Sequence, residues 1–196
     1  MPRPSVLGLI LLAAGAAFAP ETAFAHIGAG RASGFARGFL HPIGGLDHVL
    51  AMVAVGMFAA NLGGRALWAV PLAFVSVMAV GGMLAAQQVE LPYVEAGIAL
   101  SVVLLGLAVA TRLNWPVAAA VALVALFAVF HGHAHGAEMP IDASGAGYAA
   151  GFTLATAILH LAGMALGTGA ALWSRAAPLA GSAMAVAGVA LLAGIL

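Results

Sequence analysis

The chain has 196 residues, of which 64% are hydrophobic and 6% are charged, and its six basic residues balance its six acidic ones. This composition, with 26 glycines, is typical of a polytopic membrane protein with closely packed helices. It leaves no basic face for nucleic acid, and the absence of cysteine excludes disulfides and thiolate metal ligands.

Residues 1–25 have the pattern of a secretory signal peptide. Arg3 opens a short basic start, an apolar run covers residues 6–18, and Ala-Phe-Ala at residues 23–25 supplies the small residues that a signal peptidase reads. Cleavage there would leave His26 as the mature N-terminus, with an α-amine and an imidazole available to a metal. The alternative is an uncleaved first helix, although the apolar run is short for a span of about 20 residues.

Residues 26–196 contain six apolar stretches, each long enough to cross a bilayer as a helix. The stretches cover residues 40–62, 66–86, 92–111, 115–133, 147–172 and 177–196. We therefore predict an all-α membrane protein, in which one domain of residues 26–196 forms a bundle of six transmembrane helices.

The charges between the stretches predict the orientation in the membrane. Three arginines, Arg65, Arg112 and Arg175, lie in the first, third and fifth connections. The second and fourth connections carry acidic residues and no basic residue. Because cytoplasmic connections are enriched in basic residues, both mature ends are expected outside the cytoplasm, as a cleaved signal requires. Arg31 and Arg37 run against this rule, since they precede the first stretch on the outer side.

The first stretch opens with the sequence His41-Pro42-Ile-Gly-Gly-Leu-Asp47-His48. The proline and the glycine pair favour a helix that starts, kinks or unwinds here. Imidazoles and a carboxylate are costly at membrane depth, and several together indicate a bound cation. Asp47 can act as a ligand or as an acceptor that fixes an imidazole tautomer. The alternative is a kinked helix whose His and Asp only bond each other.

The fourth stretch ends in a second cluster, which contains His131, His133, His135 and Glu138. On a helix, His131, His135 and Glu138 share one face, which offers two nitrogens and a carboxylate to a metal. If the helix has frayed, the three histidines alternate as in a strand and still form a metal-binding surface. The alternative is a solvated histidine-rich loop with incidental metal affinity.

One further histidine, His160, lies in the middle of the fifth stretch. A lone histidine on an apolar face is usually a packing residue, but beside two other histidine clusters we expect it to be a ligand. Methionines such as Met52 and Met164 are interpreted mainly as gap fillers in the core, with a soft metal pathway as the alternative.

These motifs resemble those of the HupE/UreJ family of hydrogenase and urease accessory membrane proteins. The similarity rests on His-Pro-x-x-Gly-x-Asp-His at residues 41–48 and Phe-His-Gly-x-Ala-His-Gly-x-Glu at residues 130–138. It extends over nearly the whole chain and implies a permease of the bacterial inner membrane that imports nickel, or cobalt in some members. The predicted metal ligands are His41, Asp47, His48, His131, His133, His135, Glu138 and His160, of which His133 matches the motif less closely.

The expected substrate is a divalent metal ion, Ni2+ in the first place, with Co2+ or Zn2+ as alternatives that the same ligands suit. No further cofactor is expected. The chain has no phosphate-binding loop and no lysine, so it is not expected to hydrolyse ATP. The expected partners are the lipid bilayer and, as further interpretations, a second copy of the chain and the metallochaperones of hydrogenase or urease.

We do not expect an enzyme, but two rival functions share the same ligands. In an intramembrane zinc hydrolase, three histidines would hold the metal while Asp47 or Glu138 activates a water molecule. A serine nucleophile is disfavoured, since Ser76 and Ser101 lack a glycine-rich elbow and a nearby base. A metal sensor or scaffold would bind the ion without moving it.

Overall fold

The computed structural model describes residues 34–139, 145–170 and 175–196. Within these ranges the chain forms seven α-helices and no strand, which confirms the all-α class. In chain order the helices are α1 (Gly34–Gly44), α2 (Leu46–Leu62), α3 (Ala66–Ala86), α4 (Val94–Thr111), α5 (Val117–Ala137), α6 (Gly145–Ala170) and α7 (Ala176–Leu192). The predicted signal peptide at residues 1–25, together with His26 and Arg31, lies outside the described residues.

Several of these helices are suited to cross a membrane. Four of them, α3, α4, α5 and α6, are long and apolar enough to do so alone. Helices α1 and α2 together form a fifth apolar segment that is broken and bent by 83°, as in a broken span or a re-entrant loop. The sixth predicted stretch corresponds to α7, which is shorter at 17 residues. The chain is thus a multi-pass membrane protein whose described residues offer up to five spans by length and composition, and the count of six stays a prediction.

The break between α1 and α2 lies at Gly45, inside the segment where the sequence predicts a distortion. Gly45 has an extended conformation, with φ −99° and ψ 121°, and Pro42 lies in the last turn of α1. A Cβ atom at Gly45 would lie only 2.7 Å from Asp47 Oδ1 and 3.0 Å from His48 Nδ1. Glycine therefore leaves room for two predicted ligands, and the predicted kink is confirmed.

Glycines let the helices of the bundle approach each other closely. The largest interfaces pair α3 with α5, α4 with α7, and α6 with both α1 and α2. A Cβ atom at Gly132 of α5 would collide with the Met78 carbonyl of α3, and one at Gly56 of α2 would collide with the His160 carbonyl of α6. Such backbone contacts are typical of membrane helices, whose association depends on close packing. They fix the positions of α2, α5 and α6, each of which carries at least one histidine.

Candidate metal centre

Both histidine motifs meet where the break between α1 and α2 contacts the last turns of α5. His41 of α1 packs against His135 of α5, with 4.8 Å between the ring centroids. His135 lies 4.3 Å from His48 of α2, and His48 lies 4.9 Å from His131 of α5, again between ring centroids. The four rings therefore form a continuous series, called here the histidine cluster, in which residues of the two motifs alternate.

The second motif is helical rather than frayed. Helix α5 continues to Ala137, with Glu138 as its C-terminal cap. His131 and His135 are both buried and both contact His48, so the spacing of one helical turn places them on the same side of α5. This half of the site is therefore a rigid helix face rather than a frayed loop.

One end of the histidine cluster is open. A ligand atom from each of His41, His135 and Glu138 lies within 4.8 Å of the other two, and His41 Nε2 is 2.8 Å from Glu138 Oε2. The side chain of Glu138 is 56% exposed, whereas His135 is only 2% exposed. Two imidazoles and a carboxylate suit borderline divalent metals such as nickel, cobalt and zinc. This trio therefore offers a hydrated cation both an accessible carboxylate and a buried nitrogen.

Asp47 and His48 form a pair at the start of α2. Asp47 Oδ1 lies 2.7 Å from His48 Nδ1 and also accepts a hydrogen bond of 2.7 Å from the His48 backbone N–H. A carboxylate that holds one ring nitrogen of a histidine orients the ring and leaves the other nitrogen for a metal. This geometry favours the acceptor role for Asp47, with His48 Nε2 as the ligand atom.

Several buried ring nitrogens have no hydrogen-bond partner among the described residues. They are His48 Nε2, His131 Nδ1, and both ring nitrogens of His135 and of His160. An unpaired buried polar group costs about 1–3 kcal/mol, so such groups are rare in folded proteins. A metal ion bound by the lone pair would remove this cost at one nitrogen of each ring. A kinked helix with one internal bond explains Asp47 and His48, but not the unpaired nitrogens of α5 and α6.

His160 of α6 is also buried, and its ring contact is with Phe74 rather than with a ring of the histidine cluster. The ring centroid of Phe74, on α3, lies 5.5 Å from that of His131 and 5.1 Å from that of His160. Phe74 and His160 are 0% and 1% exposed, respectively. Within the described ranges no ring contact joins His160 to another histidine. The Phe74 ring thus contacts both His160 and His131, which is a member of the histidine cluster.

His133 lies on another side of α5. Its Nε2 is 2.8 Å from the Val89 carbonyl, in the connection between α3 and α4. Among the described residues, no ring contact links His133 to the histidine cluster. Its position indicates that it ties the end of α5 to the connection after α3, while the other predicted residues of the two motifs come together.

Comparison with known proteins agrees with the two motifs. The family profile described as HupE / UreJ protein matches residues 12–191. The chain belongs to the HupE/UreJ family. Protein HupE of Rhizobium leguminosarum bv. viciae is 49% identical over 179 residues, which make up 89% of this chain and 92% of that protein. No solved structure shows a significant match.

Membership of the HupE/UreJ family confirms two predictions. The resemblance deduced from the motifs is correct, and it covers most of the chain. Proteins of the HupE/UreJ family are accessory membrane proteins and transporters rather than enzymes, so the expectation that this chain is not an enzyme is also confirmed.

Two aromatic residues of α6 contact the histidine cluster, and the sequence analysis did not identify them. Phe152 packs on His135, with 3.8 Å between the ring centroids. The ring centroid of Tyr148 lies 6.0 Å from that of His41. These residues are spaced four apart on α6, which is a signal for one helix face but not for its partner. A cavity of about 400 Å³ lies beside this face and is lined by His135 and three methionines, among other residues.

The sequence-based statement about Ser101 was wrong in one respect. Its Oγ lies 2.9 Å from His131 Nε2, so an imidazole is close to it. The contact joins α4 to α5, and its two residues are 30 positions apart in the chain. No local sequence pattern predicts it. Ser101 is fully buried, which still argues against a nucleophile that must reach a substrate.

Proposed function

We propose that this HupE/UreJ protein is a permease that imports a divalent transition metal, with Ni2+ as its substrate, across the bacterial inner membrane. The supporting observation is the series of contacting imidazoles that begins at the exposed Glu138 and ends at the buried His131. Nickel is favoured over cobalt and zinc by the association of the HupE/UreJ family with nickel supply, because the ligand chemistry alone suits all three.

The arrangement of ligands supports a stepwise path. Glu138, His41 and His135 would capture the ion, which would then pass to His48 and His131. Successive rings are in contact, so the ion can form a new bond to nitrogen before the previous one breaks. Transport requires sites that bind well enough to strip hydration yet weakly enough to release the ion, and several incomplete sites meet this need better than one closed cage.

Phe74 and His160 would form the next part of this path. The Phe74 ring contacts both His131 and His160, so an ion that moves from His131 to His160 would pass along an apolar side chain. Hydrophobic constrictions of this kind act as gates in channels and transporters. Release would follow on the far side of His160.

The charged connections support the direction of transport. Arg65, Arg112 and Arg175 are exposed and lie in the connections at one end of the bundle, which the positive-inside rule would place in the cytoplasm. The histidine cluster then lies near the outer surface. We propose that both mature ends are outside, after removal of the signal peptide at residues 1–25.

The decisive experiment is metal flux into liposomes that contain the purified full chain. Vesicles loaded with a metal-sensitive dye would be exposed in turn to Ni2+, Co2+, Zn2+ and Mn2+, and the initial rate would be compared with that of protein-free vesicles. We expect nickel influx well above that background. Binding of nickel without influx would support a sensor or scaffold instead, and would reject the permease.

Nickel influx is also expected to depend on the outside pH. An imidazole must lose its proton to bind a metal, and its ordinary pKa is about 6.5, so the competent fraction falls as acid is added. Between about pH 7.5 and pH 5.5 the neutral fraction of an ordinary imidazole falls from about 90% to about 10%, and influx should fall over this range. The rates would be measured with the internal pH and the membrane potential held constant. A flat profile would contradict capture of the ion by solvent-accessible imidazoles.

A further inference from the structure

Ser101 of α4 touches the histidine cluster from a helix that carries none of the predicted ligands. The side chain is 0% exposed, and its Oγ has two close polar neighbours. One is the Ile98 carbonyl oxygen at 2.6 Å, and the other is His131 Nε2 at 2.9 Å. Both distances are those of good hydrogen bonds.

The Ser101 hydroxyl has one proton to donate and lone pairs to accept with. The Ile98 carbonyl can only accept, so at 2.6 Å the serine proton must point to it. The contact with His131 Nε2 therefore uses a lone pair of Oγ, and the proton in that bond belongs to Nε2. A neutral imidazole carries one N–H, so His131 Nδ1 is left with a lone pair.

We propose that Ser101 is a positioning residue that holds His131 in the Nε2–H tautomer and thereby presents the Nδ1 lone pair to the metal. Nδ1 is buried and has no hydrogen-bond partner among the described residues, so nothing in the described protein competes for that lone pair. In the opposite tautomer a buried N–H without an acceptor would face the ion. The role in metal binding rests on the proposed function, whereas the tautomer is a property of the metal-free protein.

The neighbouring ring is fixed in the complementary way. Asp47 accepts from His48 Nδ1, which leaves the Nε2 lone pair of His48 without a partner in the described ranges. The rings of His48 and His131 are 4.9 Å apart and nearly perpendicular, at 88°. One ring is thus held by a carboxylate and the other by a neutral hydroxyl. An imidazole that donates to a neutral hydroxyl is a weaker metal ligand than one that donates to a carboxylate. The weaker ligand suits a site that must release its ion.

The tautomer can be read directly by nitrogen NMR of the full chain, labelled with 15N-histidine and held metal-free in nanodiscs at about pH 8. The His131 signals are assigned by their loss in His131→Gln. We expect a protonated Nε2 and an unprotonated Nδ1 in the wild type and in Ser101→Thr, which keeps the hydroxyl. Ser101→Ala should give a mixed or reversed tautomer. A wild-type ring protonated at Nδ1 would overturn the proposal, and this spectrum needs no variant that might misfold at position 101.

Equilibrium Ni2+ binding by the same proteins gives a second readout. Loss of a hydrogen-bond partner behind a metal ligand typically weakens binding by about 10–100-fold, so we expect that range for Ser101→Ala and recovery in Ser101→Thr. Ser76→Ala, on the exposed side of α3, is the matched control and should bind as the wild type does.

The two readouts separate the failure of this proposal from that of the proposed function. A changed tautomer in Ser101→Ala with unchanged nickel affinity would overturn the positioning role, even if the protein transports nickel. The expected tautomers in a protein that binds none of the four metals would support the assignment of Ser101 and reject the permease.

Discussion

His48→Ala is expected to bring nickel influx down to the level of protein-free vesicles. The ring of His48 contacts both His135 and His131, so its loss opens a gap in the middle of the ligand series. It also removes the partner of the Asp47 carboxylate, which lies 2.7 Å from the ring. Loss of a hydrogen-bond partner around a metal already costs about 10–100-fold in affinity or activity, and loss of a central ligand should exceed this.

His133→Gln is the matched control for this prediction. Glutamine keeps an N–H donor for the Val89 carbonyl, which is the contact that His133 makes. We expect the variant to retain most of the nickel influx, because the ring of His133 lies apart from the cluster. Initial rates would be compared at equal amounts of reconstituted protein. Equal losses in both variants, or an unaffected His48→Ala, would contradict the ligand series.

The sequence predicts the local features of this site better than it predicts which helices come into contact. Pro42 and the glycine pair before Asp47 give a local reason for the break, and the spacing of His131 and His135 gives their shared helix face. The contact between His41 and His135 depends on the 83° bend. That bend is held by distant packing, since Cβ atoms at Gly38 and Gly151 would collide with the backbone of α6 and α1, respectively. No local pattern encodes such a contact.

The placement of His133 and His160 shows two further limits. A strict helical period already separates His133 from His131, but fraying at the end of the helix remains a strand-like alternative in the sequence. The sequence places His160 on an apolar helix face, but it does not identify the side chain that packs against its ring. The structure places Phe74 there, and any of several apolar residues of α3 would have fitted the pattern equally well.

Gly132→Val is expected to cause the largest loss of stability among single changes in α5. A Cβ atom at Gly132 would overlap the carbonyl group of Met78, and backbone cannot move aside as a flexible side chain can. Overpacking typically costs about 1–3 kcal/mol, and in a bilayer the close approach of α3 and α5 is itself a source of stability. Displacement of α5 would also move His131 and His135 relative to His48. We therefore expect a lower Tm together with weaker nickel binding.

Gly169→Ala supplies the comparison that makes this result interpretable. A Cβ atom at Gly169 would meet nothing within 4 Å, and alanine favours a helix by about 1 kcal/mol over glycine. Thermal unfolding in one detergent should thus show an unchanged or slightly raised Tm for Gly169→Ala and a clear decrease for Gly132→Val. If Gly132→Val unfolded at the wild-type temperature, α3 and α5 would have to tolerate a wider separation.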